Sequence, residues 1–260
     1  MGTWVRVQVG EQVWYGQRDE QGYVQGWSDA PWAGGQGTEQ WFAPDSYRLL
    51  APTVPSKIVA VGRNYREHAA EMQAPVPEEP VLFLKPPTTV IGPEDPIYYP
   101  AMSQRVDYEG ELAVVIGRPA RHLNPEQALS AIWGYTIAND VTARDLQRRD
   151  GQWTRSKGFD TFCPLGPQIV PTLSAEAQLE TRLNGEKRQA ARLVDMVFSP
   201  AFLVSFISQV MTLLPGDVVL TGTPAGIGPM QPGDTVAISI TGIGTLTNSV
   251  VLAPRAGPPT

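Results

Sequence analysis

The chain has 260 residues, a formal net charge of −6 and no long run of lysine and arginine, which excludes an extended nucleic-acid-binding surface. Its single cysteine, Cys163, cannot close an internal disulfide, so a reducing, cytoplasmic compartment is expected. The 25 glycines and 25 prolines fall short of the ~25–30% of low-complexity chains. They stand as punctuation between apolar runs, the pattern of a turn-rich, mostly β fold.

Within residues 1–52, Val5, Val7 and Val9 alternate with polar residues. Short aromatic runs (Val13-Trp14-Tyr15, Tyr23-Val24) follow, separated by Gly-containing turns, and the pattern predicts a small antiparallel β domain. Ala51 to Ser56 reads as a linker into a main domain, residues 53–260. Lys57 to Val61 is an apolar strand stopped by Gly62. Asn64 with Glu67 three residues on is a helix-start pattern, and a helix is expected from Tyr65 to about Gln73. On it His68 and Glu71, three apart, face the same side. A proline-rich loop, Ala74 to Pro80, leads to a strand Val81 to Lys85.

Arg105 to Gly117 predicts one strand. Its second half is apolar and β-branched; its first half carries Asp107, Glu109 and Glu111, which in a strand share a face. Asn124-Pro125 opens a helix through about Trp133. Gly134 to Asn139 is another strand, with Asp140 at its C-terminal end. Thr142 is placed to cap a helix carrying Arg144, Asp145 and Gln147, and a polar loop runs from Asp150 to Asp160. Asn184-Gly185 marks a hairpin. Ser199-Pro200 opens the most apolar helix, to about Leu213, and this stretch is too short and too interrupted by serine to span a bilayer. The Gly-rich segment Thr221 to Gly228 lies between two Pro-Gly-Asp turns.

A row of acids on a strand that enters the core is costly to desolvate unless a cation lies over it. Glu109, Glu111 and Asp140 are three carboxylates for one such cation. All-oxygen ligation suits Mg²⁺, Mn²⁺ or Ca²⁺, and two histidines and one cysteine exclude a zinc cluster. The alternative is a polar strand end splayed into water. Three acids and one divalent ion leave the site negative, so an anionic substrate would need further cations, which Arg144 and Lys157 can supply. His68 with Glu71 can form an oriented general base, or merely a surface ion pair. Thr221 to Gly228 lacks the Lys-Ser/Thr of a phosphate loop. Its amides could nest a carboxylate, or the segment is an ordinary Gly/Pro loop.

Five runs resemble, in order and spacing, the catalytic domain of the fumarylacetoacetate hydrolase family across roughly residues 56–250. They are Gly62 to Met72 (GRNYREHAAEM), Asp107 to Leu112 (DYEGEL), Gly134 to Gln147, Arg155 to Phe162 (RSKGFDTF) and Thr221 to Gly228 (TGTPAGIG). The preceding segment resembles the small N-terminal β domain of bacterial members. The resemblance implies an α+β, mostly β architecture: a mixed β-sheet roll with the small antiparallel domain attached, assembled as a homodimer. It implies Mg²⁺ or Mn²⁺ on Glu109, Glu111 and Asp140, with Asp107 left out. It further implies a His68–Glu71 dyad and Lys157 as catalytic residues, and Arg63, Arg144, Gln147 and Thr223 around the substrate. The implied chemistry is that of small 2-oxo and 2,4-dioxo acids, with enolate charge stabilised at the metal. Hydrolysis of an acylpyruvate-type C–C bond is the expected activity. The alternatives are oxaloacetate decarboxylation or tautomerisation, isomerisation of a 2-hydroxyhepta-2,4-diene-1,7-dioate type, or binding of 2-oxo acids without turnover. Neither a membrane nor a nucleic acid is an expected partner.

Overall fold

The computed structural model describes residues 2–174 and 176–254; Met1, Ala175 and the end of the expected main domain, 255–260, lie outside the described residues. β1 (Thr3–Val9), β2 (Gln12–Arg18), β3 (Val24–Trp27) and β4 (Gly37–Phe42) form an antiparallel meander, and β5 (Arg48–Leu50) pairs with β1. The alternation holds: Val5, Val7 and Val24 bury into a small core of their own, flanked by Trp14 and Phe42. Trp4 opposite Ile169 makes this meander continuous with the main sheet. The seam is aromatic: Trp4 and Trp32 meet Trp133 of the main sheet edge-on at ring-centre distances of 5.8 and 5.9 Å. The expected linker is packed rather than free, with Ala51, Thr53 and Pro55 buried and Thr53 Oγ1 donating to Gly216 O at 2.8 Å.

The remaining elements, in chain order, begin with β6 (Ile58–Gly62), α1 (Arg66–Glu71), β7 (Val81–Lys85), β8 (Val90–Ile91), β9 (Ile97–Tyr99), β10 (Val106–Tyr108) and β11 (Gly110–Ile116). Then come α2 (Pro125–Leu129), β12 (Ile132–Asn139), β13 (Thr142–Ala143), α3 (Arg144–Asp150), α4 (Thr154–Lys157) and β14 (Cys163–Val170). The chain ends in β15 (Gln178–Leu183), β16 (Glu186–Arg192), α5 (Pro200–Val210), β17 (Val218–Leu220), β18 (Gly228–Met230), β19 (Thr235–Ile240) and β20 (Gly244–Leu252). The main sheet runs β4-β3-β2-β1-β14-β12-β11-β17-β6-β7, mixed in direction because β17 lies parallel to β6. A second sheet runs β16-β15-β19-β20-β9 and a third, β13-β10-β18. Val114 and Ile116 of β11 pack with Leu203, Val204 and Ile207 of α5, whereas Ala113 faces a cluster with Ile58, Leu165 and Leu220. The fold is thus mostly β with mixed sheets, as expected, and among the described residues no helix is long and apolar enough to cross a membrane.

Several local expectations are corrected, each by a tertiary partner. The strand expected from Arg105 to Gly117 breaks at Glu109: β10 belongs to the small sheet and β11 to the main one. Asn64 does not cap α1; its buried amide donates to Phe198 O and Thr221 O at 2.9 and 2.7 Å and accepts from Phe198 N at 2.7 Å. Asn124 does cap α2, with a full capping box to Gln127, but the helix stops at Leu129 because Ile132 already pairs with Ile116. Thr142 lies in β13 and donates to Asp140 O at 2.8 Å, leaving α3 without a side-chain cap. The polar loop after Asp150 contains α4. Ser199 caps α5, which ends at Val210 rather than near Leu213, since Leu213 exchanges backbone hydrogen bonds with Ala120. The Asn184-Gly185 hairpin forms, both residues at positive φ, +53° and +81°.

Candidate active site and metal centre

The break at Glu109 builds the site. Gly110 is registered against Asn139, Asp140 N donates to Glu109 O at 2.8 Å, and Glu109 N donates to Asn139 Oδ1 at 2.9 Å. These bonds hold the end of β12 against the start of β11. Glu109, Glu111 and Asp140 are all buried there, with one oxygen of each lying within 4.8 Å of the others. Asp107, two residues before Glu109, points elsewhere and pairs with Arg105 and with Arg144 Nε, the latter at 3.0 Å.

Three buried cations face this group. Lys85 Nζ donates to Asp140 Oδ1 at 2.7 Å and Lys157 Nζ to Asp140 Oδ2 at 2.5 Å. Lys157 also donates to Glu109 Oε2 at 2.8 Å, and Arg144 Nη2 pairs with Glu109 Oε1. Burial disfavours an ionised Glu109, but Lys157 and Arg144 outweigh it and hold this carboxyl well below the usual range. Glu111 is the opposite case. Burial first, then the charges of Asp140 and Glu109, push its pKa well above the ordinary value. Gly222 N donates to its Oε2 at 2.7 Å, and among the described residues no lysine or arginine forms an ion pair with it. An all-oxygen donor set with one uncompensated buried carboxylate fits a hard divalent cation.

His68 and Glu71 meet on α1, with Nδ1 to Oε2 at 3.0 Å. A carboxylate only accepts, so Nδ1 carries the proton and Nε2 is the basic nitrogen. Glu71 is held on its other oxygen by Gly226 N at 3.0 Å. The amides of Gly222 and Gly226 therefore grip the protein's own Glu111 and Glu71. The free nest considered for Thr221 to Gly228 is not what these two amides form.

One cavity of about 250 Å³ is lined by His68, the three carboxylates and Lys157, and by Arg63, Arg144, Gln147 and Thr223. Of the sequence-predicted residues only Glu71 stands behind the lining, as the partner of His68. Arg144 and Lys157 are already paired with carboxylates, whereas the buried Nε of Arg63 has no partner. Arg63 also adopts a left-handed backbone, φ +59°, at the corner between β6 and α1. Phe83, Trp153 and Met72 supply an apolar wall. Sequence reasoning missed Lys85, whose signal was a lysine closing an otherwise apolar strand, and it missed these apolar walls. Cys163 is buried as expected, and burial pushes its thiol up to about 12.

This combination defines a mostly β, mixed-sheet fold with a buried acidic centre, and the sequence around that centre falls in a known family. Residues 57–251 match the family described as Fumarylacetoacetate (FAA) hydrolase C-terminal, and residues 3–52 match Rv2993c-like, N-terminal. The chain belongs to the fumarylacetoacetate hydrolase family. It is 55% identical to Protein Rv2993c of Mycobacterium tuberculosis over 82% of this chain and 80% of that protein. It is 44% identical to the mitochondrial oxaloacetate tautomerase FAHD2B of Homo sapiens over 78% of this chain and 69% of that protein. Among solved structures, 2-hydroxyhepta-2,4-diene-1,7-dioate isomerase from Mycobacterium marinum superposes with a TM-score of 0.91 at 44% identity, covering 98% of this chain and 100% of that one.

Proposed function

We propose that the protein is a divalent-metal-dependent enzyme that moves a proton within a small dicarboxylic 2-oxo acid, interconverting enol and keto forms or double-bond isomers. The observation that carries this reading is one oriented base, His68, lining the same small cavity as three buried carboxylates and an unpartnered Arg63. Mg²⁺ or Mn²⁺ held by Glu109, Glu111 and Asp140 would supply Lewis-acid stabilisation to charge developing on the 2-oxo oxygen. His68 Nε2 accepts the proton and returns it, while Glu71 stabilises the imidazolium. Arg63 binds a substrate carboxylate with its free donor, and Gln147 and Thr223 shape the same pocket. Lys157 and Arg144 keep Glu109 ionised. A cavity of about 250 Å³ lies below the ~300–1,000 Å³ of drug-sized ligand sites, which suits a short-chain acid.

Relatives named for tautomerase and isomerase activity favour proton transfer over the hydrolysis expected from the sequence alone. Hydrolysis of acylpyruvates remains the second reading, because a basic Nε2 can equally activate water. The deciding experiment assays purified protein with Mg²⁺ on enol-oxaloacetate, oxaloacetate, acetylpyruvate and fumarylpyruvate in parallel. Enol consumption above the uncatalysed rate, reduced ~10²–10⁴-fold in His68→Gln, is expected. Cleavage of acylpyruvates without any tautomerisation would replace this reading by the second.

A further inference from the structure

Gln189 is 1% exposed, although the rest of β16 is largely exposed. Burying a primary amide from such a strand costs free energy unless every polar atom is satisfied. Here all of them are. Oε1 accepts from Gly110 N at 3.0 Å, and Nε2 donates to Thr223 Oγ1 and to Pro224 O, both at 2.8 Å. Thr223 Oγ1 in turn donates to Gly110 O at 2.8 Å, which closes a ring of hydrogen bonds around one residue.

That residue, Gly110, lies between Glu109 and Glu111. No larger residue fits: a Cβ on Gly110 would sit 2.3 Å from Thr181 Oγ1. The other end of the ring, Thr223 and Pro224, lies between Gly222 and Gly226, whose amides hold Glu111 and Glu71. A single side chain from the second sheet therefore fixes the segment carrying two acids and the loop that orients one of them and the dyad carboxylate.

We propose that Gln189 is a positioning residue: it sets Glu109 and Glu111 for the metal and ties that centre to the His68–Glu71 pair. The proposal rests on the reading of Glu109, Glu111 and Asp140 as metal ligands. Only an amide offers the acceptor and both donors in this geometry. Methionine keeps the volume and loses every bond, and glutamate would lose both donors.

The test is titration calorimetry of Mg²⁺ into the full chain, with circular dichroism and melting to establish folding. Groups that orient metal ligands are typically worth ~10–100-fold in affinity, and Gln189→Met is expected to weaken Mg²⁺ binding by that factor. Thr223→Val, which opens the same ring, should cost a similar factor, and Thr223→Ser should restore most of it. The double variant Gln189→Met/Thr223→Val should be little worse than either single one, because both break one ring. A folded Gln189→Met with wild-type Mg²⁺ affinity would overturn the role of Gln189 while leaving the metal centre standing. Wild-type protein that binds neither Mg²⁺ nor Mn²⁺ would instead remove the metal centre, and this proposal with it. Should Gln189→Met not fold, equal affinities for Thr223→Val and Thr223→Ser would overturn the proposal on their own.

Discussion

The N-terminal meander and the strand break at Glu109 are both β structure, yet they are held together in opposite ways. In the meander burial follows side-chain alternation, and Val5, Val7 and Val24 are inside simply because water is outside. At the break, buried charge must be balanced by buried charge. Asp107, Glu109, Glu111 and Asp140 face Lys85, Arg144 and Lys157, four buried acids against three buried bases. Asp107 also reaches the more exposed Arg105, and the carboxylate without a cationic partner is Glu111. A fold that only needed stability would not leave such a group in its core. This chain gives up stability at the break and keeps it in the meander.

The largest effect is expected at Glu111. Glu111→Gln keeps the shape and removes the ionisable group. Mg²⁺ affinity should fall by at least the upper end of the ~10–100-fold associated with outer-shell partners, since here a proposed ligand itself is lost. Stability should move the other way. A carboxyl with a raised folded-state pKa is protonated in the folded chain while already ionised in the unfolded one. The Glu111 contribution to metal-free stability therefore falls as pH rises above the ordinary glutamate value of ~4.3, and continues to fall until Glu111 ionises in the fold. The difference between wild type and Glu111→Gln in melting curves against pH isolates this contribution, because Glu109, held low, has already given its full share in that window. A flat difference would show that Glu111 is compensated after all.

Arg63 comes next. Its Nε is, among the described residues, a buried donor of the cavity without a partner, and Arg63→Met removes it. A charge-assisted hydrogen bond is worth ~1.5–3 kcal/mol, so kcat/KM for a dicarboxylic substrate should drop ~10–100-fold, carried mainly by KM. Mg²⁺ affinity measured by calorimetry should be unchanged. An equal loss on monocarboxylic substrates would show that Arg63 holds the corner between β6 and α1 rather than a substrate carboxylate.

How much of this was legible in the sequence follows the same divide. The meander, the Asn184-Gly185 hairpin and the Ser199 cap rest on neighbours close in the chain, and local pattern reads those. Glu109, Glu111 and Asp140 were legible as a group because acids entering a core strand are costly without a cation. Their separation from Asp107 was not, since period two says nothing of where a strand changes sheets. Asn64 looked like a helix cap, but its amide serves partners 134 and 157 residues away. Lys85 and Gln189 were missed for the same reason. One closes a strand and the other sits in a charged hairpin, and only the packed fold shows that both turn inward.

The smallest functional effect, and the sharpest control, belongs to the meander. Val7 is fully buried in its small apolar core, and Val7→Thr keeps the shape while adding a hydroxyl. Without a hydrogen-bond partner a buried hydroxyl costs ~1–3 kcal/mol, so the denaturation midpoint should fall by the equivalent amount. Mg²⁺ affinity should stay within error of wild type, because Val7 packs in the meander's own cluster with Val5 and Val24, and β1 is registered against β14 at the Trp4–Ile169 pair rather than against the strands that carry the acids. If metal affinity fell together with the midpoint, the two regions would be one cooperative unit. The line between stability by burial and a site built on buried charge would then have to be drawn elsewhere, at the aromatic seam where Trp4 and Trp32 meet Trp133.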